Sequence, residues 1–196
     1  MKWTKKRKKK LQNILLYIGV VILGLFSLNQ LAEMNGNQFS TISSSYKTEF
    51  IQSMAPKAKE IQANYGILPS VNMGQAILES DWGTSDLSEI SNNYYGIKQG
   101  GVSEVYSTKE YIGNEEITVD ASFAVYDSLE DSMEAYAQLL TNGTTWNNDL
   151  YAEVINADNY IDAAYALQKS GYATDPNYAN KLISVIEDNQ LRRYDD

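Results

Sequence analysis

The sequence predicts a mainly helical α+β domain with one small β-hairpin lobe, preceded by an N-terminal membrane helix. Three observations predict it. An uncharged, mostly apolar run follows a basic start. Helix-period stripes with cap residues fill most of the chain from Tyr46 onward. One stretch, Val102 to Tyr126, switches to period two around a Gly-Asn pair, a hairpin signal.

Residues 2–10 hold seven basic side chains, and the 22 residues from Leu11 to Ala32 hold no charge. At about 1.5 Å per residue that run makes roughly 33 Å of helix, close to the ~30 Å of a hydrocarbon core. The basic flank predicts that residues 1–10 are cytoplasmic and that the remainder faces outward. No clear A-x-A cleavage site follows, so residues 11–32 read as an uncleaved signal anchor, with a cleaved signal peptide as the competing reading. Residues 33–45, EMNGNQFSTISSS, are polar and read as a flexible tether. Residues 46–196 then form one domain.

Within that domain, Tyr46 to Tyr65 carries Phe50, Met54, Ala58 and Ile61 on one stripe, and Gly66 closes it. Pro56 predicts a kink or a restart there. Pro69-Ser70 opens a second helix with Ser70 as N-cap, and Gly83 stops it. Ser85 to Asn93 reads as a polar loop. Ile117, Val119, Ala121, Phe123 and Val125 alternate with polar residues, and Gly113-Asn114 separates them from SEVYSTKEYI. Ser128 caps a helix through Leu140, with Leu129, Met133, Tyr136 and Leu140 as its apolar face; Asn142-Gly143 ends it. Another helix runs from about Asn159 to Ser170. Asp175-Pro176 opens the last one, to about Gln190.

Composition prunes the chemistry. The chain has neither His nor Cys, which excludes Cys nucleophiles, His-containing triads and His-bearing metal sites. Carboxylates, Tyr, Ser, Thr and Lys remain. Past residue 10, nine basic residues face 25 acidic ones, a net charge of −16. Nucleic acid is a poor partner for such a surface. Fifteen tyrosines suit a carbohydrate ligand, on which aromatic rings stack.

The carboxylate that stands out is Glu79, at the end of the second helix in AILESDWGTS. Trp82 follows within one turn. An apolar ring against a carboxyl disfavours its ionised form and raises its pKa, as a proton donor to a glycosidic oxygen requires. The competing reading is a solvated helix-end Glu.

The wider string, Ala76 to Ser85 followed by Asn92 to Lys98 (NNYYGIK), resembles the glucosaminidase family of peptidoglycan hydrolases, glycoside hydrolase family 73. STKEY (107–111), ASFAVYDSLEDSMEAYAQLL (121–140) and GYATDPNYANKL (171–182) are similar to family segments in the family's order. The resemblance implies a lysozyme-like fold, a helical lobe and a hairpin lobe flanking a cleft. It implies Glu79 as the general acid and Glu110, in Thr108-Lys109-Glu110-Tyr111, as the second carboxylate; Glu115, Glu116 and Asp120 are nearby rivals. Tyr172 matches a cleft tyrosine whose phenol orients water or stabilises charge. Tyr95 matches a sugar-stacking platform, with Tyr94 and Trp82 as weaker aromatic candidates, and Asn93 as a partner for an N-acetyl group.

Two positions depart from the family pattern. Asp81 stands where the family has Gly, a place Asp tolerates if φ is positive. Ala124 replaces an Arg, which is expected to change a surface contact. The implied reaction is hydrolysis of the β-1,4 bond after N-acetylglucosamine in bacterial wall glycan, without metal or cofactor. Carboxyls about 6.5–9.5 Å apart would invert and about 5–5.5 Å would retain configuration, while a substrate-assisted route needs only Glu79. The rivals are a lytic transglycosylase of the same fold and a non-catalytic glycan-binding or scaffold module. The anchor implies a single-pass membrane protein working on the wall side.

Overall fold

A computed structural model describes residues 43–98, 102–112 and 115–196, with the backbone alone for 108–112 and 115–117. The anchor segment 11–32, the basic segment 1–10 and most of the tether lie outside the described residues. Among the described residues, no helix is long and apolar enough to cross a membrane. The chain divides between Thr48 and Glu49, and the domain from Glu49 to Asp196 holds the cleft and the elements that build it.

Helix α1 covers residues 43–65 without interruption. Ile51, Met54, Ala58 and Ile61 bury its stripe. The restart expected at Pro56 does not occur. Pro56 lies on the exposed face with Gln52, so the carbonyl that loses its i+4 donor faces water. Helix α2 (Pro69–Ser80) is the central strut: ten of its twelve residues are buried. The expected cap is corrected here. Leu68 is the N-cap and supplies no side-chain bond. Instead Asp195, from the far end of the chain, accepts from the Ser70 amide at 2.8 Å and the Ser70 hydroxyl at 2.7 Å.

The stretch expected as a polar loop contains a short helix, α3 (Asp86–Ser91), capped by Ser85. Strands β1 (Ser103–Ile112) and β2 (Glu115–Ala124) pair antiparallel, with Ile112 opposite Glu115. This is the predicted hairpin. Its base is stitched to Ser91 and to the NNYYGIK segment that follows it. Ala124 N–H donates to Ile97 O at 3.0 Å, and Tyr126 N–H to Ser91 O at 2.9 Å. Helix α4 (Leu129–Asn142) follows, its Ser128 cap accepting from the Asp131 amide at 3.1 Å. Its Met133, Tyr136 and Leu140 are buried as the pattern predicts.

Helices α5 (Ala152–Ile155), α6 (Tyr160–Lys169) and α7 (Tyr178–Asp188) complete the helical lobe. The short α5 carries no periodic signal and was not expected. Helix α7 begins two residues later than Pro176 suggests, because Asp175 accepts from the Asn177 amide at 2.8 Å and closes a turn first. A 3₁₀ turn, Leu191–Tyr194, brings Asp195 back to α2. The packing of α2 against α7 is close: a Cβ on Gly74 would sit 2.8 Å from Ile186 Cγ1.

Candidate active site

Helix α2 ends in three consecutive left-handed residues, Asp81 (φ 48°), Trp82 (φ 65°) and Gly83 (φ 77°). The Asp81 amide bonds back to Ile77 O. Ser80 Oγ accepts from the Gly83 amide at 2.7 Å. The chain therefore turns away sharply and leaves Glu79, in the last helical turn, beside an open cleft. Asp81 does occupy a positive-φ position, the backbone region that favours Gly. Asp, with Asn, is among the L-residues that bear it at modest cost.

The cleft has a volume of about 750 Å³ and is bordered by both lobes. Glu79, Tyr172, Tyr178 and Gly96 line one wall; Tyr106, Ser107 and Phe123 come from the hairpin. Glu79 is partly buried. Desolvation raises its pKa to about 7, against an opposing hydrogen bond from the Tyr178 hydroxyl to Oε1 at 2.7 Å. The carboxyl is thus a proton carrier near neutrality. Burial, with the Glu79 charge next, pushes the Tyr172 and Tyr178 phenols well above their ordinary value. Both remain neutral donors.

Tyr178 is the functional residue that sequence reasoning missed. Its only signal is a second Tyr six residues after Tyr172, in a segment that reads as a helix start. Behind it, Gln75 Nε2 donates to the Tyr178 hydroxyl at 2.8 Å, and the Tyr136 hydroxyl donates to Gln75 Oε1.

Tyr172 does line the cleft. Its hydroxyl donates to Tyr95 O at 2.9 Å, and its ring stacks on Tyr178 at 6.1 Å. Tyr95 borders the cleft but is 1% exposed, its face covered by Tyr136 at 4.3 Å. It is a core ring, and no sugar can stack on it. Asn93 is also corrected. Its Nδ2 donates to Ile97 O and Ala124 O, both at 2.9 Å, and Oδ1 accepts from the Ile97 amide at 3.0 Å. Those bonds hold the turn to the hairpin and leave nothing for an N-acetyl group. Trp82 and Tyr94 lie outside the cleft lining and pack on Phe50, at 6.2 and 6.0 Å. Ala124 is 1% exposed, so its substitution changes a buried site and not a surface contact.

The side chains of Glu110, Glu115 and Glu116 lie outside the described residues. Glu110 is placed by its backbone on β1, opposite Ile117. Asp120 is exposed and accepts from the Ser107 hydroxyl at 2.6 Å. Among the described residues, no three acidic side chains converge as metal ligands would.

The family model for glucosaminidases, described as mannosyl-glycoprotein endo-beta-N-acetylglucosaminidase, matches residues 55–191. The chain belongs to the glucosaminidase family. It is 38% identical over 195 residues to the exo-glucosaminidase LytG of Bacillus subtilis, covering 98% of this chain and 69% of that protein. It is 41% identical over 152 residues to a probable N-acetylmuramidase of Lactococcus lactis, covering 74% of this chain and 34% of that one. The catalytic domain of the autolysin Auto from Listeria monocytogenes superposes with a TM-score of 0.68 at 34% identity. That match covers 82% of this chain and 97% of the Listeria domain. The family segment contains the whole cleft, from Leu78 to Lys181.

Proposed function

We propose that this glucosaminidase-family domain hydrolyses the β-1,4 bond after N-acetylglucosamine in bacterial peptidoglycan. One observation carries the reading: the partly buried Glu79 carboxyl, hydrogen-bonded by the Tyr178 hydroxyl at 2.7 Å, stands in the wall of a cleft of about 750 Å³. Relatives named exo-glucosaminidase and N-acetylmuramidase support a glycosidase acting on wall glycan.

Glu79 donates its proton to the leaving glycosidic oxygen as positive charge develops at the sugar carbon. The Tyr178 hydroxyl, already bonded to Oε1, stabilises the carboxylate that results. Tyr172 lines the cleft beside Tyr178 with its phenol proton committed to Tyr95 O, so its oxygen is left as an acceptor for the water it would orient. Glu110 on the hairpin lobe is the candidate to activate water from the opposite face. Residues 46–196 act as the catalytic domain, 33–45 as a tether and 11–32 as a single-pass anchor that holds the enzyme on the wall side of the cell membrane.

Digestion of purified peptidoglycan, borohydride reduction and mass spectrometry of the products test the bond assignment. The proposal expects reduced N-acetylglucosamine ends. Reduced muramic ends would reassign the bond, anhydro-muramic ends would make the protein a lytic transglycosylase, and no cleavage would leave a glycan-binding module.

A further inference from the structure

The buried polar chain behind Glu79 has a direction. Tyr136 is fully buried, and its hydroxyl proton goes to Gln75 Oε1. That acceptor fixes the amide: Nε2, which has protons and no lone pair to offer, must face Tyr178. The Tyr178 hydroxyl therefore accepts from Gln75, at 2.8 Å, and its single proton is left for Glu79 Oε1, at 2.7 Å. The carbonyl oxygen of a neutral carboxyl is its stronger acceptor, so the oxygen that receives this donor is the carbonyl and the acid proton sits on the other. The other oxygen, Oε2, lies beside Gly96 in the cleft wall, where a Cβ would approach it at 3.9 Å.

We infer that Tyr136, Gln75 and Tyr178 form a one-way hydrogen-bond relay that holds the acid proton of Glu79 on Oε2, facing the cleft. The inference rests on the proposed role of Glu79 as acid and names the positioning residues behind it. Every donor in the relay comes from a different helix: α4, α2 and α7. The packing of the helical lobe thus sets which oxygen is the acid. When Glu79 gives up its proton, the donor already on Oε1 strengthens onto the anion.

Other titratable groups surround the relay. Tyr172, Tyr136 and Tyr151 are phenols whose pKa values burial pushes up, so none changes charge near neutrality. Among the described residues, the charged groups on the cleft wall besides Glu79 are Asp86, Lys98, and Asp175 paired with Lys181. Substitutions within the relay alter none of them.

The test is a titration of the Glu79 carboxyl carbon by NMR in the full chain labelled with 13C-glutamate. The Glu79 signal is assigned by its loss in Glu79→Gln. In the wild type the midpoint falls near 7. In Tyr178→Phe it rises by about one pH unit, the loss expected for one charge-assisted hydrogen bond. In Tyr136→Phe it rises by less, because Tyr178 still donates. Should Tyr178→Phe fail to fold, Tyr136→Phe decides alone. The basic limb of peptidoglycan digestion moves upward with the midpoint. Midpoints equal to wild type overturn the relay, and so does a variant that loses only thermal stability. Shifted midpoints in a protein that cleaves no peptidoglycan would uphold the relay and overturn the proposed reaction.

Discussion

Replacing Glu79 with Gln should stabilise the protein above pH 7 and leave it unchanged at pH 4. The carboxyl titrates near 7 in the folded protein against an ordinary value of 4.5. Between those values the folded state holds a proton that the unfolded chain has released, so stability falls as pH rises. Each pH unit is worth ~1.4 kcal/mol, so the full penalty above pH 7 is about 3 kcal/mol. Below 4.5 both states are protonated and the penalty vanishes. The substituted amide would keep an oxygen for the Tyr178 hydroxyl and never ionises. Urea denaturation at pH 4, 6 and 8 reads the difference directly. The variant should gain up to about 3 kcal/mol at pH 8, roughly half or more of that at pH 6, and nothing at pH 4. A pH-independent difference, or none at pH 8, would refute the claim that burial raises this carboxyl.

Three further outcomes follow from the packing. Asp195→Ala strips both bonds from buried Ser70 at the start of α2 and should lower stability by about 1–2 kcal/mol in urea melts. Gly74→Ala drives a methyl to 2.8 Å from Ile186 and 3.0 Å from Leu182; overpacking of about 1–3 kcal/mol outweighs a helix-propensity gain of about 1, so the thermal midpoint falls. Asp81→Gly relieves a left-handed residue at φ 48° and should gain about 0.5–1 kcal/mol, with the Glu79 titration midpoint unmoved, since burial and Tyr178 account for it.

Legibility in the sequence followed how local each signal was. The hairpin, the Ser128 cap and the apolar faces of α1 and α4 are set by neighbours within a few residues, and they were readable. Glu79 was readable from its motif and its place at a helix end. What sits behind it was not. Gln75 and Tyr136 lie 61 residues apart, and Tyr178 reaches Glu79 across 99; nothing in either local pattern joins them. The same distance hid the Asp195 cap on Ser70, and so the sequence credited Ser70 itself. Tyr95 and Asn93 are buried braces, and a motif position does not distinguish a residue that faces the cleft from one that braces the turn beneath it. Pro56 does not break α1 because it lies on the face that meets water, which the local sequence around a proline does not reveal.

The most direct test of Glu79 as the acid is the pH profile of peptidoglycan cleavage, followed from pH 4 to 10 as release of reducing ends, with wild type and Glu79→Gln in parallel. Cleavage should decline above a pKa near 7, and the variant should fold, gain stability at pH 8 and cleave nothing. Cleavage by Glu79→Gln, or a wild-type rate undiminished to pH 9, would contradict that role.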